Sequence, residues 1–229
     1  FRSDSIKAAK DQTDIPVLVK LSPQLLEIDE VAKSAEDAGA DGIVAISPVG
    51  PSLVIDVNTE RPLMGSAHGY GWLSGPSVKP IAVRCVADIA QAVDIPVIGS
   101  GGINDERDAA EFLMAGASAV QVGTASITRG KKIFGLIADK LKKFMDVRGY
   151  DSIEDIRGVA LRNLPEEPLR TTAKQPSFLS SKCTGCGLCE KHCPYGAVTI
   201  VSGKARIDST SCTGCGLCVS VCPPNALRY

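Results

Sequence analysis

Two short cysteine-rich segments near the end of this 229-residue chain limit its possible folds more than any other feature. They read CTGCGLCEKHCP and CTGCGLCVSVCP, and both have the spacing C-x2-C-x2-C-x3-C-P. Only Cys85 lies outside them; the other cysteines are Cys183, Cys186, Cys189, Cys193, Cys212, Cys215, Cys218 and Cys222. The residues from 183 to 222 must therefore fold around whatever these thiols bind.

This is the spacing of bacterial ferredoxins, in which three close cysteines of a run bind one [4Fe-4S] cluster and the fourth binds the other. We predict two clusters. The first is bound by Cys183, Cys186, Cys189 and Cys222, and the second by Cys212, Cys215, Cys218 and Cys193. Disulfides and zinc are weaker alternatives, since disulfides are typical of secreted chains and zinc sites usually take two spaced cysteine pairs.

The composition argues against several classes of protein. Lys and Arg total 25 against 26 Asp and Glu, so the formal charge of -1 offers no basic field for nucleic acid. No apolar run approaches the roughly 18 residues of a membrane span. We expect a cytoplasmic protein with neither nucleic acid nor membrane as a partner.

The upstream residues alternate between short apolar runs and helical patterns. We predict strands over 15–22, 41–47, 95–102 and 118–124, with helices such as 27–40 and 105–117 between them. Near-continuous apolar strands that alternate with helices indicate a parallel α/β sheet. The predicted domains are residues 1–160 and 181–229, joined by a linker over 161–180 that is rich in proline and charge.

Small residues close the last two predicted strands, in GSGG and VGTA. In β/α barrels a phosphate is commonly held after strands seven and eight. Gly101, Gly102, Gly123 and Thr124 are therefore candidates for a phosphate site, although such glycines can also serve only tight turns. Lys20 lies within the run VLVKLS, where burial would require an anionic partner. That partner is either a carboxylate of the barrel or an anionic cofactor edge such as that of a reduced flavin.

Several stretches resemble the flavin barrel of the dihydroorotate and dihydropyrimidine dehydrogenase family. They include VLVKLSP, AEDAGADGIVAIS, LSGPSVKPIAVRCVADIAQAVDIPVIGSGGI, AGASAVQVGTA and RGYDSIEDIRG, and the ferredoxin-like segment follows them. The resemblance implies the C-terminal half of a (β/α)8 barrel, with strands five to eight, followed by a small α+β ferredoxin domain. It also implies FMN, with Lys20 at the flavin ring and Gly75, Gly101, Gly102, Gly123 and Thr124 around the phosphate. Ser47, after the sixth barrel strand, is included among the cofactor-binding residues.

Two departures from the family limit what the resemblance implies. Members that bind a pyrimidine usually have Asn followed by Ser or Thr after the sixth strand, where this chain has Ser47 and Pro48. The catalytic base of the family would fall before Phe1, so the first half of the barrel is expected upstream and no residue here receives that role.

The sequence therefore predicts an iron-sulfur flavoprotein that passes electrons between the clusters and FMN and acts on a small cyclic substrate. Two alternatives remain open. One is an electron-transfer subunit whose barrel has lost substrate chemistry, and the other is a phosphosugar lyase or isomerase scaffold. We expect an electron partner, either an NAD(P)H/FAD-containing subunit or a ferredoxin, and an oligomer.

Overall fold

The computed structural model describes residues 3–164 and 174–229. The chain divides into two compact units, Phe1–Leu164 and Pro165–Tyr229. The domain boundaries at 160 and 180 remain predictions, and residues 165–173 of the predicted linker lie outside the described residues.

Strands and helices alternate through most of the first unit. Its helices are α1 (Ser3–Lys10), α2 (Ile28–Asp37), α3 (Lys79–Ala92), α4 (Glu106–Met114), α5 (Thr124–Arg129), α6 (Ile133–Arg148) and α7 (Ile153–Ile156), with short 3-10 turns at Pro76–Val78 and Leu161–Asn163. Its strands are β1 (Leu18–Leu21), β2 (Gly42–Ala45), β3 (Val49–Leu53), β4 (Ile55–Asp56), β5 (Arg61–Pro62), β6 (Tyr70–Leu73), β7 (Val97–Ser100) and β8 (Ala119–Gln121).

The main sheet consists of four parallel strands in the order β1-β2-β7-β8. They lie within the four predicted strand segments, which confirms the prediction of a parallel α/β sheet. The capping box of α4 shows how the sequence sets the boundary between a strand and the next helix. Asp105 accepts from the backbone N-H of Arg107 and Asp108, and Asp108 accepts from the N-H of Asp105.

Within residues 3–164, helices cover only one face of this sheet. Leu21, Ile43, Ala45 and Val97 point into the main hydrophobic core, together with residues of α2, α3 and α4. The alternating side chains on the other face include Leu18, which is 50% exposed, and the exposed Lys20 and Gln121, whereas Val44, the partner of Lys20, is only 5% exposed. Parallel sheets are normally covered on both faces, so this open face is unusual.

Residues 49–73 form a feature that the sequence analysis did not predict. Strand β3 pairs with β6, and β4 pairs with β5, both in antiparallel fashion. Several apolar side chains of this segment are exposed, among them Val57 at 85% and Trp72 at 59%. The segment interrupts the alternation of parallel strands and helices between β2 and α3.

The second unit is small and contains paired strands and two short helices. Its elements are β9 (Ser177–Phe178), α8 (Leu188–Lys191), β10 (Val198–Val201), β11 (Lys204–Ile207), α9 (Leu217–Ser220) and β12 (Leu227–Arg228). Strand β10 pairs with β11, and β12 pairs with β9, which brings the start of the unit next to its end. The core of the unit includes Cys189, Val198, Ala205 and Leu227.

None of the helices within residues 3–164 and 174–229 is both long enough and apolar enough to cross a membrane.

Candidate functional site: two cysteine-lined cavities and a glycine-rich cradle

The second unit contains two cavities lined by cysteine. The first cavity brings together three cysteines of the first run and the last cysteine of the second run, namely Cys183, Cys186, Cys189 and Cys222. The second cavity has the reciprocal set, Cys193, Cys212, Cys215 and Cys218. The structure thus groups the thiols as the sequence predicts, with the fourth cysteine of each run facing the other cavity.

The geometry of these thiols suits a cluster better than a single ion. A zinc ion holds cysteine sulfur at about 2.3 Å and therefore draws its ligands to one point. The eight thiols instead surround two cavities, as a polynuclear centre requires.

Close backbone approach explains two glycines of the cysteine runs. A Cβ atom on Gly185 would lie 2.5 Å from the carbonyl oxygen of Gly203, and one on Gly214 would lie 2.6 Å from that of Lys174. Both glycines also have positive φ, at 71° and 66°. Glycine is therefore required where each run passes beneath a neighbouring strand or loop.

Backbone N-H groups and burial set the properties of the thiols. Hydrogen bonds from the backbone of Ala205 and Gly185 lower the pKa of Cys183, with a further contribution from the charge of Lys204. Burial raises the pKa of Cys189 and of Cys218. The first cavity thus contains one thiol whose ionised form, the form that binds metal, is stabilised by neighbouring groups.

The fourth cysteine of each run has an equivalent backbone hydrogen bond. The N-H of Ala197 donates to Cys193 Sγ and the N-H of Ala226 donates to Cys222 Sγ, both at 3.3 Å. His192, between the ligand candidates, is exposed, and its Nδ1 lies 2.8 Å from the carbonyl oxygen of Leu188. It lines neither cavity.

In the first unit, three loops meet at the carboxyl ends of the strands. They are the loop after β6 at Ser74 and Gly75, the loop after β7 at Gly101 and Gly102, and the loop after β8 at Gly123 and Thr124. Thr124 Oγ1 donates to Ser74 Oγ at 2.9 Å. A Cβ on Gly75 would lie 3.3 Å from Thr124 Cγ2, and a Cβ on Gly102 would lie 2.7 Å from the Gly75 carbonyl oxygen. Gly75, Gly102 and Thr124 are therefore together, and we call the three loops the cradle.

The other two glycines of the prediction have different surroundings. A Cβ on Gly101 would lie 2.8 Å from Ala82 Cβ and 3.3 Å from Ile46 Cγ1, so this glycine is needed for packing against α3 and the end of β2. A Cβ on Gly123 would meet nothing within 4 Å. Gly123 is thus the open position of the cradle.

Ionic and polar contacts hold the cradle loops in place. Lys79, whose Cβ would lie 2.8 Å from a Cβ on Gly102, forms ion pairs with Asp108 at 2.7 Å and Glu111 at 2.6 Å. Arg129, at the end of α5, donates to the Asn104 carbonyl oxygen at 2.7 Å. The sequence analysis missed Ser74, Lys79 and Arg129, because their partners are distant in sequence and no local pattern marks them.

The pKa values of this ion pair shift in opposite directions. Hydrogen bonds from Lys79 to Asp108 and Glu111 raise the pKa of Lys79 from 10.5 to about 12. Burial would raise the pKa of Asp108, but the bond from Lys79 and the N-H groups of Asn104 and Asp105 outweigh it, and the pKa of Asp108 is lowered. Both groups are therefore charged at neutral pH, and the pair links the start of α3 to α4.

The sequence analysis expected an anionic partner for Lys20, because burial would require one. Lys20 is exposed on the open face of the sheet, because β1 is an edge strand and none of the helices within residues 3–164 covers that face. Among the described residues no carboxylate forms an ion pair with it, so the carboxylate partner considered for Lys20 is not found in this part of the chain. Its ammonium is available to a group bound over the sheet.

Ser47 lies where β2 ends, beside the end of β1. Its backbone N-H donates to the Leu21 carbonyl oxygen at 2.9 Å, and its hydroxyl donates to the same oxygen at 3.3 Å. The hydroxyl is thus already engaged by the protein, and the following Pro48 is exposed and has no N-H. Cys85 is fully buried in α3, and burial raises its pKa, which confirms the prediction of a buried, unreactive thiol.

A parallel α/β unit with a glycine-rich cradle precedes a unit with two cysteine-lined cavities, and each unit matches a family model. Residues 1–145 match the family model of dihydroorotate dehydrogenase, and residues 175–223 match that of the 4Fe-4S dicluster domain. The chain belongs to the dihydroorotate dehydrogenase family.

Curated relatives agree with this assignment. The chain is 46% identical over 155 residues to the protein named dihydroorotate dehydrogenase B (NAD(+)), catalytic subunit, of Methanothermobacter thermautotrophicus, which covers 68% of this chain and 50% of the relative. Proteins of the same name from Pyrococcus abyssi and Bacillus pumilus are 48% and 44% identical over 157 and 152 residues, covering 69% and 66% of this chain and 52% and 48% of the relatives. The chain thus spans about half the length of the curated relatives it matches.

Proposed function

We propose that this chain is part of an iron-sulfur flavoprotein that oxidises or reduces a small cyclic substrate of dihydroorotate or dihydropyrimidine type. Two [4Fe-4S] clusters held by the eight cysteines would carry single electrons to or from FMN. FMN suits this role because flavins can exchange electrons both in pairs and singly. The observation that carries the proposal is the reciprocal grouping of the thiols around two cavities, in a chain of the dihydroorotate dehydrogenase family.

The cradle has the features needed to hold the FMN phosphate. Phosphate sites in β/α barrels lie after the last two strands, where backbone N-H groups point outward and glycine permits close approach. The open position at Gly123 and the hydroxyl groups of Thr124 and Ser74 supply donors beside one another. The exposed ammonium of Lys20, on the open face of the sheet, is the residue proposed to contact the flavin ring and to stabilise its negative charge after reduction.

The open sheet supports the proposal that the four strands are the fifth to eighth strands of a (β/α)8 barrel. Their order follows the chain, one face is covered by helices, and within the described residues both edge strands lack a further neighbour. Strands one to four, and the catalytic base, would be supplied from outside residues 1–229. The name of the relatives, which describes the catalytic subunit of an NAD(+) enzyme, supports an NAD(P)H/FAD-containing subunit as the electron partner.

One observation favours a second candidate, an electron-transfer subunit without substrate chemistry. Members that bind a pyrimidine have an amide and a hydroxyl where this chain has Ser47 and Pro48, and the Ser47 hydroxyl already donates to Leu21. A site that lacks those groups would leave polar edges of a pyrimidine unpaired. The relatives named above favour the enzyme over this candidate.

The test is to express this chain together with the complete upstream region of its protein and purify it without oxygen. We expect one FMN, about eight iron atoms and about eight sulfides per chain, and bleaching of the flavin by dihydroorotate or dihydrouracil. Absence of flavin, or iron near four per chain, would contradict the proposal. Cofactors in full with no reduction by any dihydropyrimidine would instead favour the electron-transfer subunit.

Two threonine variants test the cradle directly. Thr124→Val removes the hydroxyl that donates to Ser74, whereas Thr128→Val removes a hydroxyl of the same helix that donates to the Thr124 carbonyl oxygen. We expect Thr124→Val to weaken FMN retention and Thr128→Val to retain it, measured by recovery of flavin fluorescence on dilution. Equal retention in both variants would place the phosphate elsewhere.

A further inference from the structure

The second unit contains two halves of equivalent structure. Val198 follows Cys193 by five positions, as Leu227 follows Cys222. Val198 pairs with Ile207 and Leu227 pairs with Phe178. Counting along the partner strands from these pairs gives three further equivalent positions: Lys204 with Gln175, Ala205 with Pro176, and Asp208 with Leu179.

Two independent contacts support this equivalence. Gly185 and Gly214 are the third residues of the two cysteine runs. Gly185 lies against Gly203, and Gly214 lies against Lys174. These two neighbours directly precede the equivalent residues Lys204 and Gln175. The N-H of Asp208 donates to the Ala197 carbonyl oxygen at 2.8 Å, and the N-H of Leu179 donates to that of Ala226, also at 2.8 Å. Residues that differ at equivalent positions therefore give the two cavities different surroundings.

The first difference is a positive charge. Lys204 Nζ donates to the carbonyl oxygens of Ser180 at 2.9 Å and Cys183 at 2.7 Å, which fixes the ammonium beside the first cavity. The equivalent residue beside the second cavity is the neutral Gln175. Lys174, the residue before it, is exposed, so that its charge is screened by solvent.

The second difference is a backbone donor. Ala205 lines the first cavity, and its N-H is hydrogen-bonded to the sulfur of Cys183. Pro176 lines the second cavity at the equivalent position and has no N-H to offer to Cys212. The first cavity therefore has a sulfur hydrogen bond that the second cavity cannot form.

The third difference is a negative charge. Asp208 lies at the turn that leads into Cys212 and accepts from Thr210 and Ser211. Its equivalent before Cys183 is the apolar Leu179. The Asp208 carboxylate is exposed, so its effect is the smallest of the three.

Another carboxylate in this region discriminates less between the cavities. Glu190 lies in the chain between Cys189, of the first cavity, and Cys193, of the second. Its carboxylate accepts from the N-H of Ile200 at 3.0 Å and is followed by the positive charge of Lys191. Ile200 lines the first cavity, but the Glu190 carboxylate is exposed, so that solvent screens its charge and it distinguishes the cavities less than the fixed ammonium of Lys204 does.

We propose that the cluster of the first cavity has the higher reduction potential and accepts the first electron, because Lys204 and the Ala205 N-H stabilise its added negative charge and no equivalent group among residues 174–229 serves the second cavity. Charge and hydrogen bonds near the sulfurs are established determinants of cluster potential. The inference rests on the proposed function, since it requires both cavities to hold [4Fe-4S] clusters. Each cluster takes up one electron, and two together accept the pair released by one reduced flavin.

The difference in reduction potential sets the order in which the two clusters are reduced. When the unit holds a single electron, that electron resides at the first cavity, and the cluster of the second cavity is left oxidised. The second cavity then holds the weaker electron acceptor, and once both clusters are reduced its cluster is the stronger reductant. The residues that determine this order are Lys204, Ala205 and Pro176, none of which is itself a ligand candidate.

The test is a redox titration of the complete protein with dithionite and mediator dyes, followed by electron paramagnetic resonance of the reduced clusters. We expect two waves in the unsubstituted protein. Lys204→Gln should lower the upper wave alone, by roughly tenfold in the equilibrium constant, which is about 59 mV for a one-electron couple. Pro176→Ala and Gln175→Lys should raise the lower wave alone.

Lys191→Gln is the matched control, since it removes one positive charge from the same unit but lies between a thiol of each cavity. It should move both waves alike and leave their separation unchanged. Coincident waves in the unsubstituted protein, or a Lys204→Gln variant in which the lower wave moves, would overturn the inference. Pro176→Ala and Gln175→Lys keep the test decisive if Lys204→Gln does not fold. A protein that gains no cluster signal on reduction and contains no iron would instead refute the proposed function.

Discussion

Two glycine substitutions test the cradle, and both carry the same cost in stability from the backbone conformation. Gly75 has φ 82° and ψ -164°, and Gly130, at the end of α5, has φ 78° and ψ 169°. Both conformations lie in a region that is essentially restricted to glycine, where another residue costs about 1 to 3 kcal/mol. Gly75→Ala and Gly130→Ala should therefore lower the free energy of unfolding by similar amounts from the backbone alone.

The two positions differ in what the new methyl group meets. A Cβ on Gly75 would lie 3.3 Å from Thr124 Cγ2, whereas one on Gly130 would meet nothing within 4 Å. Thr124 must move by a few tenths of an ångström, which disturbs its 2.9 Å hydrogen bond to Ser74. Loss of one hydrogen bond to a charged phosphate corresponds to about 1.5 to 3 kcal/mol, or roughly ten- to a hundredfold in Kd.

The assay is titration of the flavin-free complete protein with FMN, followed by flavin fluorescence, with urea unfolding of the same samples. We expect Gly75→Ala to bind FMN at least tenfold more weakly than Gly130→Ala. We expect the two to lie within about 1 kcal/mol of each other in stability without flavin, since the shared backbone contribution dominates. Equal FMN affinity in the two variants would refute the role of the cradle.

Four further predictions concern the ligands, the lysine of β1, the ion pair and the substrate. Cys193→Ala should remove the cluster of the second cavity and retain that of the first, as resolved by electron paramagnetic resonance. Lys20→Ala should slow flavin reduction by on the order of 10²-fold without loss of iron; an unchanged rate in stopped-flow measurements would remove Lys20 from the flavin site. The pKa of Lys79 is raised and that of Asp108 is lowered, so the stabilisation from this ion pair is complete at neutral pH. It is lost as the pH rises through about 12, and it is lost on the acid side as the pH falls through the lowered pKa of Asp108. Asp108→Asn should therefore flatten the loss of stability below about pH 4, measured by urea titrations. Orotate and uracil should bind roughly a hundredfold more weakly than to a site with paired amide contacts, because two polar groups left unpaired near residues 47–48 cost about 1 to 3 kcal/mol each; micromolar binding by calorimetry would show that upstream residues supply the contacts.

The sequence predicted best the features that depend on the spacing of residues close together in the chain. The eight cysteines, their reciprocal grouping and the four parallel strands follow from short motifs and from apolar runs. Cys85 was recognisable as buried because it lies on the apolar face of a helical pattern. In these cases the neighbours along the chain already determine the structure.

The features that the sequence did not predict depend on contacts between distant residues. Lys20 looked buried because its neighbours in sequence are apolar, but burial in a strand depends on whether a second layer covers its face. The ion pair between Lys79 and Asp108 joins residues 29 positions apart. The strands of 49–73 carry exposed apolar side chains, so the usual alternation between polar and apolar residues is absent there.

The exchange of the fourth cysteine between the two halves has a consequence for biogenesis. Cys189 lies in one cavity and Cys193 in the other, and only three residues separate them. The short helix α8 (Leu188–Lys191) contains Cys189 and ends two residues before Cys193. Removal of the contents of one cavity would therefore disturb a ligand of the other through a single turn of helix. Filling of one cavity should likewise hold a ligand of the other in place, so that the second centre is expected to assemble more readily than the first.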